Sequence, residues 1–139
     1  MTDLAYLISR SCTTSWLDWV HGELWLLPSG LVRTSIGFRG TRDNATRTGI
    51  GRTVPEPLPH RPVTSFDLGR IADARRTNKV LLYDRIASAT LVRGVTAHGL
   101  RLTMADGRRH KLLWLIRDPA HTVLSEVLPG VLRERFTIR

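Results

Sequence analysis

From Gly22 onward the chain is dominated by strict alternation of apolar and polar positions; helical spacing is confined to its two ends and one short middle segment. Leu4, Leu7 and Ile8 recur at helical spacing, and Thr13, Thr14 or Ser15 can cap a turn carrying Trp16, Leu17, Trp19 and Val20. Residues 1–21 are therefore expected to form two short helices or one broken helix. The run from Gly22 to Phe38 reads as a hairpin about Pro28-Ser29-Gly30. With Gly30 left-handed at the end of a three-residue loop and Pro28 at its start, Leu27 faces Leu31, Leu26 faces Val32 and Trp25 faces Arg33. Leu24, Leu26, Val32 and Ile36 then line the core, and Glu23, Trp25 and Arg33 face solvent, where Arg33 can stack on Trp25.

Residues 38–62 break both periods. They hold four prolines and five arginines against two acids. Long loops without secondary structure of their own are commonly functional or disordered, which makes 38–62 the candidate for a basic arm. Pattern returns with "SFDLGRIADARR", a short helix starting at Ser65 with Leu68, Ile71 and Ala72 inward and Arg70, Arg75 and Arg76 outward. A strand over Val80–Tyr83, a bend at Asp84-Arg85 and a strand over Ile86–Arg93 follow.

In the next hairpin the register can be derived. Leu100, Leu102 and Met104 alternate on one strand and Leu112, Trp114 and Ile116 on the other. A two-residue Asp106-Gly107 loop would put Leu102 opposite Lys111 and expose one apolar face. A three-residue loop, Ala105-Asp106-Gly107, pairs Leu102 with His110 and Leu100 with Leu112, and keeps both apolar sets inside. It requires Gly107 to be left-handed. It also sends His110 inward, Arg101, Arg109 and Lys111 outward, and Arg108 to the sheet end. Finally, Asp118 as N-cap and Pro119 at the first helical position begin a helix with the stripe Val123, Leu124, Val127 and Leu128. Pro129-Gly130 should stop or kink it, and the tail from Leu132 is either an extra strand or frayed.

Composition adds bounds to this outline. At 139 residues, 42% hydrophobic and 24% charged, the chain has the size and make-up of one self-sufficient domain. Cys12 is its only cysteine, so an intrachain disulfide and a C-x-x-C site are excluded, in keeping with a reducing cytoplasm. The N-terminus lacks the basic and apolar regions of a signal peptide, and no apolar run approaches the ~20 residues of a membrane span. Any membrane contact is expected to be peripheral. The net charge of +9 invites an acidic partner, but 19 of the 21 basic residues are arginine, a skew that a GC-rich genome also produces.

Four stretches, "GELWLLPSGLVRTS", "VLLYDRIASATLV", "GLRLTMADGRRHKLLWL" and the C-terminal helix, occur in an order that resembles the PH-like superfold, in particular its bacterial PH and GRAM-type branch. Shared features are the opening hairpin, the Y-x-x-I bend (Tyr83-Asp84-Arg85-Ile86), the D-G turn and the closing helix. The resemblance covers about residues 22–131, apart from the 38–62 loop and the 64–78 segment. It implies an α+β fold: a bent antiparallel β-barrel or sandwich capped by a C-terminal amphipathic helix, here with an N-terminal helical segment, and a binding role without catalysis. The phosphoinositide headgroups bound by such domains are gripped by bases in and beside the first hairpin loop. Pro28-Ser29-Gly30 carries none, and only Arg33 stands near it, so protein-binding members are the better analogy.

The residues offer little chemistry beyond this. His21, His60, His98, His110 and His121 show no metal-ligand spacing, Cys12 and His21 are a poor thiol–imidazole pair, and "GIGRT" lacks the lysine of a phosphate loop. No catalytic residue, metal ligand or cofactor is therefore expected. The candidate binding residues are basic: Arg39, Arg42, Arg47, Arg52 and Arg61 on the arm, and Arg33, Arg75, Arg76, Arg101, Arg109 and Lys111 on the folded surface. The expected activity is docking of a protein partner or an anionic membrane surface, with nucleic-acid binding as the alternative.

Overall fold

The structure is a computed structural model that describes residues 3–14, 22–35, 58–74 and 78–139. Nine strands and two helices occur among them: β1 (Leu4–Cys12), β2 (Gly22–Leu27), β3 (Gly30–Ser35), β4 (His60–Pro62), α1 (Leu68–Ala74), β5 (Lys79–Leu82), β6 (Ile86–Val92), β7 (Ala97–Met104), β8 (Arg109–Leu115), α2 (Ala120–Leu132) and β9 (Phe136–Ile138). They form a five-stranded sheet of order β4-β1-β2-β3-β5 and a four-stranded sheet of order β8-β7-β6-β9. Every pairing is antiparallel except that of β9 with β6. The fold is α+β, and its two sheets are not closed into a barrel. Where a barrel would need a ladder between β1 and β8, the described residues make a single antiparallel bridge, Thr13 to Leu113.

Apolar residues of both sheets meet α2 in the main core. Ile8, Leu24, Leu31, Leu91, Leu100, Leu112 and Trp114 pack with Ala120, Leu124, Leu128 and Leu132, all of them buried. A second cluster covers the other face of the first sheet, where Ala5, Leu7, Trp25, Leu27 and Val32 pack with Ile71 of α1, Phe66 and Leu68. That sheet is therefore apolar on both faces, and alternation along β2 and β3 does not separate core from solvent.

This explains the first corrections. The segment expected to be helical at the N-terminus is strand β1 over Leu4–Cys12. Leu4 and Ile8 belong to one face of a strand and Leu7 to the other, and both faces find apolar partners, so the helical spacing is incidental. The expected helix beyond Ser15 lies outside the described residues. The β2–β3 hairpin turns in two residues, not three: Leu27 pairs Gly30, Leu26 pairs Leu31, Trp25 pairs Val32 and Leu24 pairs Arg33. Gly30 is not left-handed. It is glycine because β5 runs so close that a Cβ would collide with the Leu81 carbonyl oxygen. Its neighbourhood is fixed further by the Tyr83 amide, which donates to the Ser29 carbonyl at 3.0 Å, and by the Tyr83 hydroxyl, which donates to the Leu27 carbonyl at 3.0 Å. Burial pushes that hydroxyl up to about 12, so it remains a neutral donor.

The second hairpin follows its derived register. Leu102 pairs His110, Leu100 pairs Leu112 and Arg101 pairs Lys111. Gly107 is left-handed with φ 90°, and its amide donates to the Met104 carbonyl at 2.9 Å. Ile116 falls beyond β8 and is exposed, so it is not part of the core stripe.

Both helices start differently from expectation. A short 3-10 turn occupies Val63–Ser65, and α1 begins at Leu68, where the Asp67 carboxylate accepts from the Arg70 amide at 3.1 Å. Ala72 is exposed; Ile71 alone of α1 is buried. Asp118 does not cap α2. Its Oδ2 accepts from the hydroxyls of Ser9 (2.8 Å) and Ser11, while the Ser11 oxygen accepts from the Leu115 amide at 3.0 Å, so the carboxylate ties β1 to the end of β8. Pro129 neither stops nor visibly ends α2, which runs on to Leu132. It ends at Arg133, held at φ 55° and ψ −122°, a region costly for a residue with a Cβ. Arg133→Gly is expected to stabilise the protein by about 1 kcal/mol, read as a higher urea midpoint at unchanged slope. The tail is ordered as β9 beside β6.

Candidate basic concavity on the outer face of β7 and β8

Alternation along β7 and β8 puts Leu100, Leu102, Leu112 and Trp114 into the core, so Arg101, Thr103, Arg109 and Lys111 must stand on the opposite face. There they line a concavity of about 490 Å³ together with Thr14, Leu102 and His110. Thr14 arrives through the bridge that β1 makes to Leu113, with the Thr13 amide donating to the Leu113 carbonyl (2.8 Å) and the Leu113 amide donating back (2.9 Å). Three basic side chains and two hydroxyls thus converge on one hollow. Among the described residues no carboxylate lines it and none of the three cations makes a salt bridge.

The arrangement is electrostatically unbalanced. Arg101 and Lys111 are directly opposed across the strands. Met104 and Arg108 are hydrogen-bonded at the turn, so alternation along the ladder makes Arg101 and Lys111 a non-hydrogen-bonded pair, the type whose side chains approach most closely. Like charges in such a position destabilise a sheet. Burial, reinforced by nearby Lys79, lowers the pKa of His110, so the imidazole adds polar edge rather than charge at neutral pH. A smaller hollow of about 300 Å³ lies on the other side of β8, lined by Arg85, Asp106, Arg108 and His110 among others. There Asp106 meets Arg108 at 3.7 Å and accepts from its amide at 2.9 Å, which leaves it less one-sided.

The other candidate residues are not brought to this face. Arg33 is fully buried, because the shorter first turn puts it on the face of Leu24 and Leu31. Its Nε (3.3 Å) and Nη2 (3.1 Å) donate to the Cys12 carbonyl. It does not stack on Trp25, whose indole N–H donates instead to the buried Glu23 carboxylate at 3.0 Å and whose ring meets Phe66 edge-on. Arg61 sits on β4 with its guanidinium 5.9 Å from the Phe66 ring centre, so the basic loop ends in an ordered strand and not in a free arm. Leu58 packs on the core, and the Leu7 amide donates to the Pro59 carbonyl at 2.8 Å. Arg39, Arg42, Arg47, Arg52, Arg75 and Arg76 lie outside the described residues. Sequence reasoning found Arg101, Arg109 and Lys111. It missed Thr14, because nothing local marks a contact with a strand about a hundred positions away.

Among the described residues there is no group of three or more His, Cys, Asp or Glu placed to hold a metal ion, and no helix long and apolar enough to cross a membrane. One further titratable pair stands where β7 meets α2. The rings of His98 and His121 lie 4.2 Å apart, His98 Nδ1 accepts from the Gly94 amide at 3.2 Å, and the buried Nδ1 of His121 has no hydrogen-bond partner. Burial and Arg93 lower the pKa of His98, and burial, the neighbouring His98 and Arg93 lower that of His121. The folded state therefore binds fewer protons than the unfolded one as pH drops below the ordinary value of 6.5. Stability should be constant above that value and fall as pH is lowered through it, with His98→Gln/His121→Gln flattening the profile of urea midpoints.

No protein-family model matches this chain, and none of the curated proteins matches it significantly.

Proposed function

We propose that the protein is a non-enzymatic PH-like interaction module that docks an acidic protein partner through the concavity on β7 and β8. The fold supports this reading by its order: β1, β2, β3 and β5 as one antiparallel set, a 3-10 corner at Tyr83–Arg85, then β6, β7, β8 and a closing helix. The PH-like resemblance implies the opening hairpin, the bend at Tyr83–Ile86, the second hairpin and the closing helix in this order; β1 stands where it implied a helical segment, and β4, α1 and β9 are additions to it. The observation that carries the function is the gathering of Arg101, Arg109 and Lys111 about one hollow with no acid among the described residues to balance them. A hollow suits discrete carboxylates better than a flat bilayer does, and its charge supplies attraction and a fast encounter with an acidic surface.

Titration of the purified protein with a fluorescent polyglutamate peptide tests the reading. Binding should weaken with salt and be lost in the triple variant Arg101→Gln/Arg109→Gln/Lys111→Gln. Anionic liposomes and short duplex DNA serve as the competing partners. A duplex bound more tightly than the peptide, with a steep linear fall of log K against log salt, would establish the nucleic-acid alternative instead. If the triple variant binds like the parent, this face is not the site.

A further inference from the structure

We propose that the smaller hollow, between β5 and the β7–β8 turn, binds a small carboxylate with an apolar body, its charge held by Arg85 and the His110 ring and its body by Val80, Leu82 and Met104. The site is distinct from the outer concavity, with which it shares only His110. It measures about 300 Å³, at the small end of the range for small-molecule sites, about 300 to 1,000 Å³. It stands between the two sheets: Val80 and Leu82 come from β5 of the first, Met104 and His110 from the second hairpin of the other. Its walls are set before any ligand arrives. The Ala105 amide donates to the Arg85 carbonyl at 2.7 Å, which pins the turn to the corner between the sheets, and the Met104 amide donates to the Arg108 carbonyl at 2.8 Å, which closes the turn itself. A hollow held in this way loses little freedom on binding.

Charge selects the ligand. Among the described residues two guanidiniums and one carboxylate line the hollow. Asp106 is engaged by Arg108, at 3.7 Å between the side chains and 2.9 Å to the Arg108 amide. The Arg85 side chain takes part in no salt bridge or hydrogen bond among the described residues, so the surplus is a single positive charge. The His110 ring beside it is half-buried and makes no hydrogen bond among them either. Burial and then Lys79 lower its pKa, Asp106 opposes them and Arg108 adds to them, so the ring is neutral at neutral pH. A neutral imidazole offers one N–H donor to an anion, and an anion beside it favours the protonated ring. One surplus charge matches a monoanion, and Asp106 stands against the second charge of a phosphate ester. The half-buried Val80, Leu82 and Met104 give the rest of the ligand an apolar surface, to whose shape the flexible thioether of Met104 adapts.

Benzoate is the probe, and Met104, one of two methionines in the chain, is the reporter. In full-length protein with isotope-labelled methionine methyl groups, benzoate should move the Met104 signal saturably, the signal being assigned by its absence from Met104→Leu, and should raise the pKa read from the His110 ring. Benzyl alcohol keeps the ring without the charge, and acetate keeps the charge without the ring; each should bind about tenfold more weakly or worse. Arg85→Gln should weaken benzoate by about fivefold or more, whereas Arg70→Gln, at an exposed arginine of α1, should not. A Met104 signal that benzoate leaves unmoved at every soluble concentration would overturn the site. Benzyl alcohol bound as tightly as benzoate, or Arg85→Gln binding like the parent, would overturn the part assigned to charge, and phenyl phosphate bound more tightly than benzoate would overturn the choice of a carboxylate.

Discussion

Lys111→Glu should make the protein slightly more stable and leave it unable to hold the acidic partner proposed above. Lys111 stands directly opposite Arg101 in a close cross-strand pair, beside a hollow that no acid among the described residues lines. Reversing one charge turns a repulsive pair into an attractive one, worth about 0.5 kcal/mol in a half-exposed position and less as salt screens it. The same reversal removes one of three cations from the hollow and puts a carboxylate where the partner's carboxylates must lie, so affinity for an acidic peptide should fall by about tenfold or more. Urea denaturation at low and high salt reads the first effect, and peptide titration reads the second. A variant that is less stable than the parent at low salt, or that keeps its affinity, would show that the opposed cations are not held apart for a ligand. The expected opposition of stability and binding is what separates a binding face from a merely solvated one, because a solvated face has nothing to lose when its charges are paired.

Arg135→Ala should cost about 2–3 kcal/mol, with a fall in Tm of about 10 °C. Its Nη1 donates to the carbonyls of Tyr83 (3.0 Å) and Ile86 (2.7 Å), at the corner where the chain leaves one sheet for the other. Its Nε donates to the Leu132 carbonyl (3.3 Å) and its Nη2 to the Val131 carbonyl (3.5 Å), both at the C-terminal end of α2. One planar guanidinium thus fastens the closing helix to the β5–β6 corner. Arg135→Lys should recover only part of the loss, since a single ammonium on a flexible stem cannot serve both carbonyl groups at once. Thermal melts of the three proteins decide the matter, and a cost below about 1 kcal/mol for the alanine variant would mean that water replaces these bonds without penalty.

Charge alone did not distinguish the arginines. Arg33 and Arg135 bond to backbone carbonyls, Arg61 lies on an aromatic ring, and Arg101 and Arg109 line the outer concavity, yet all are the same residue type in a chain rich in it. What sorted Arg101 and Arg109 correctly from sequence was register. In the second hairpin one face is apolar and the other polar, so a slip of one residue would have exposed Leu100, Leu102, Leu112 and Trp114 together, and the turn had to be the three-residue one with Gly107 left-handed. In the first hairpin the same reasoning had nothing to hold. Trp25, Leu27 and Val32 are covered by α1 and its approach, and Leu24 and Leu31 by the main core, so either parity buries apolar side chains. Gly30 then read as a turn glycine, when its lack of a side chain serves the approach of β5.

By itself the sequence determined the strands from Lys79 to Leu115, the helix that follows, the inward and outward sets of the second hairpin, and hence the three cations of the candidate site. These depend on period, turn chemistry and one exposed face, which are local quantities. Only the tertiary structure decided that β1 is a strand, that Arg33 is buried, that Asp118 serves Ser9 and Ser11 instead of capping α2, and that Thr14 joins the lining of the hollow on β7 and β8. Each of these is settled by a partner far away in the chain, and a residue carries no local mark of a neighbour that the fold has yet to bring to it.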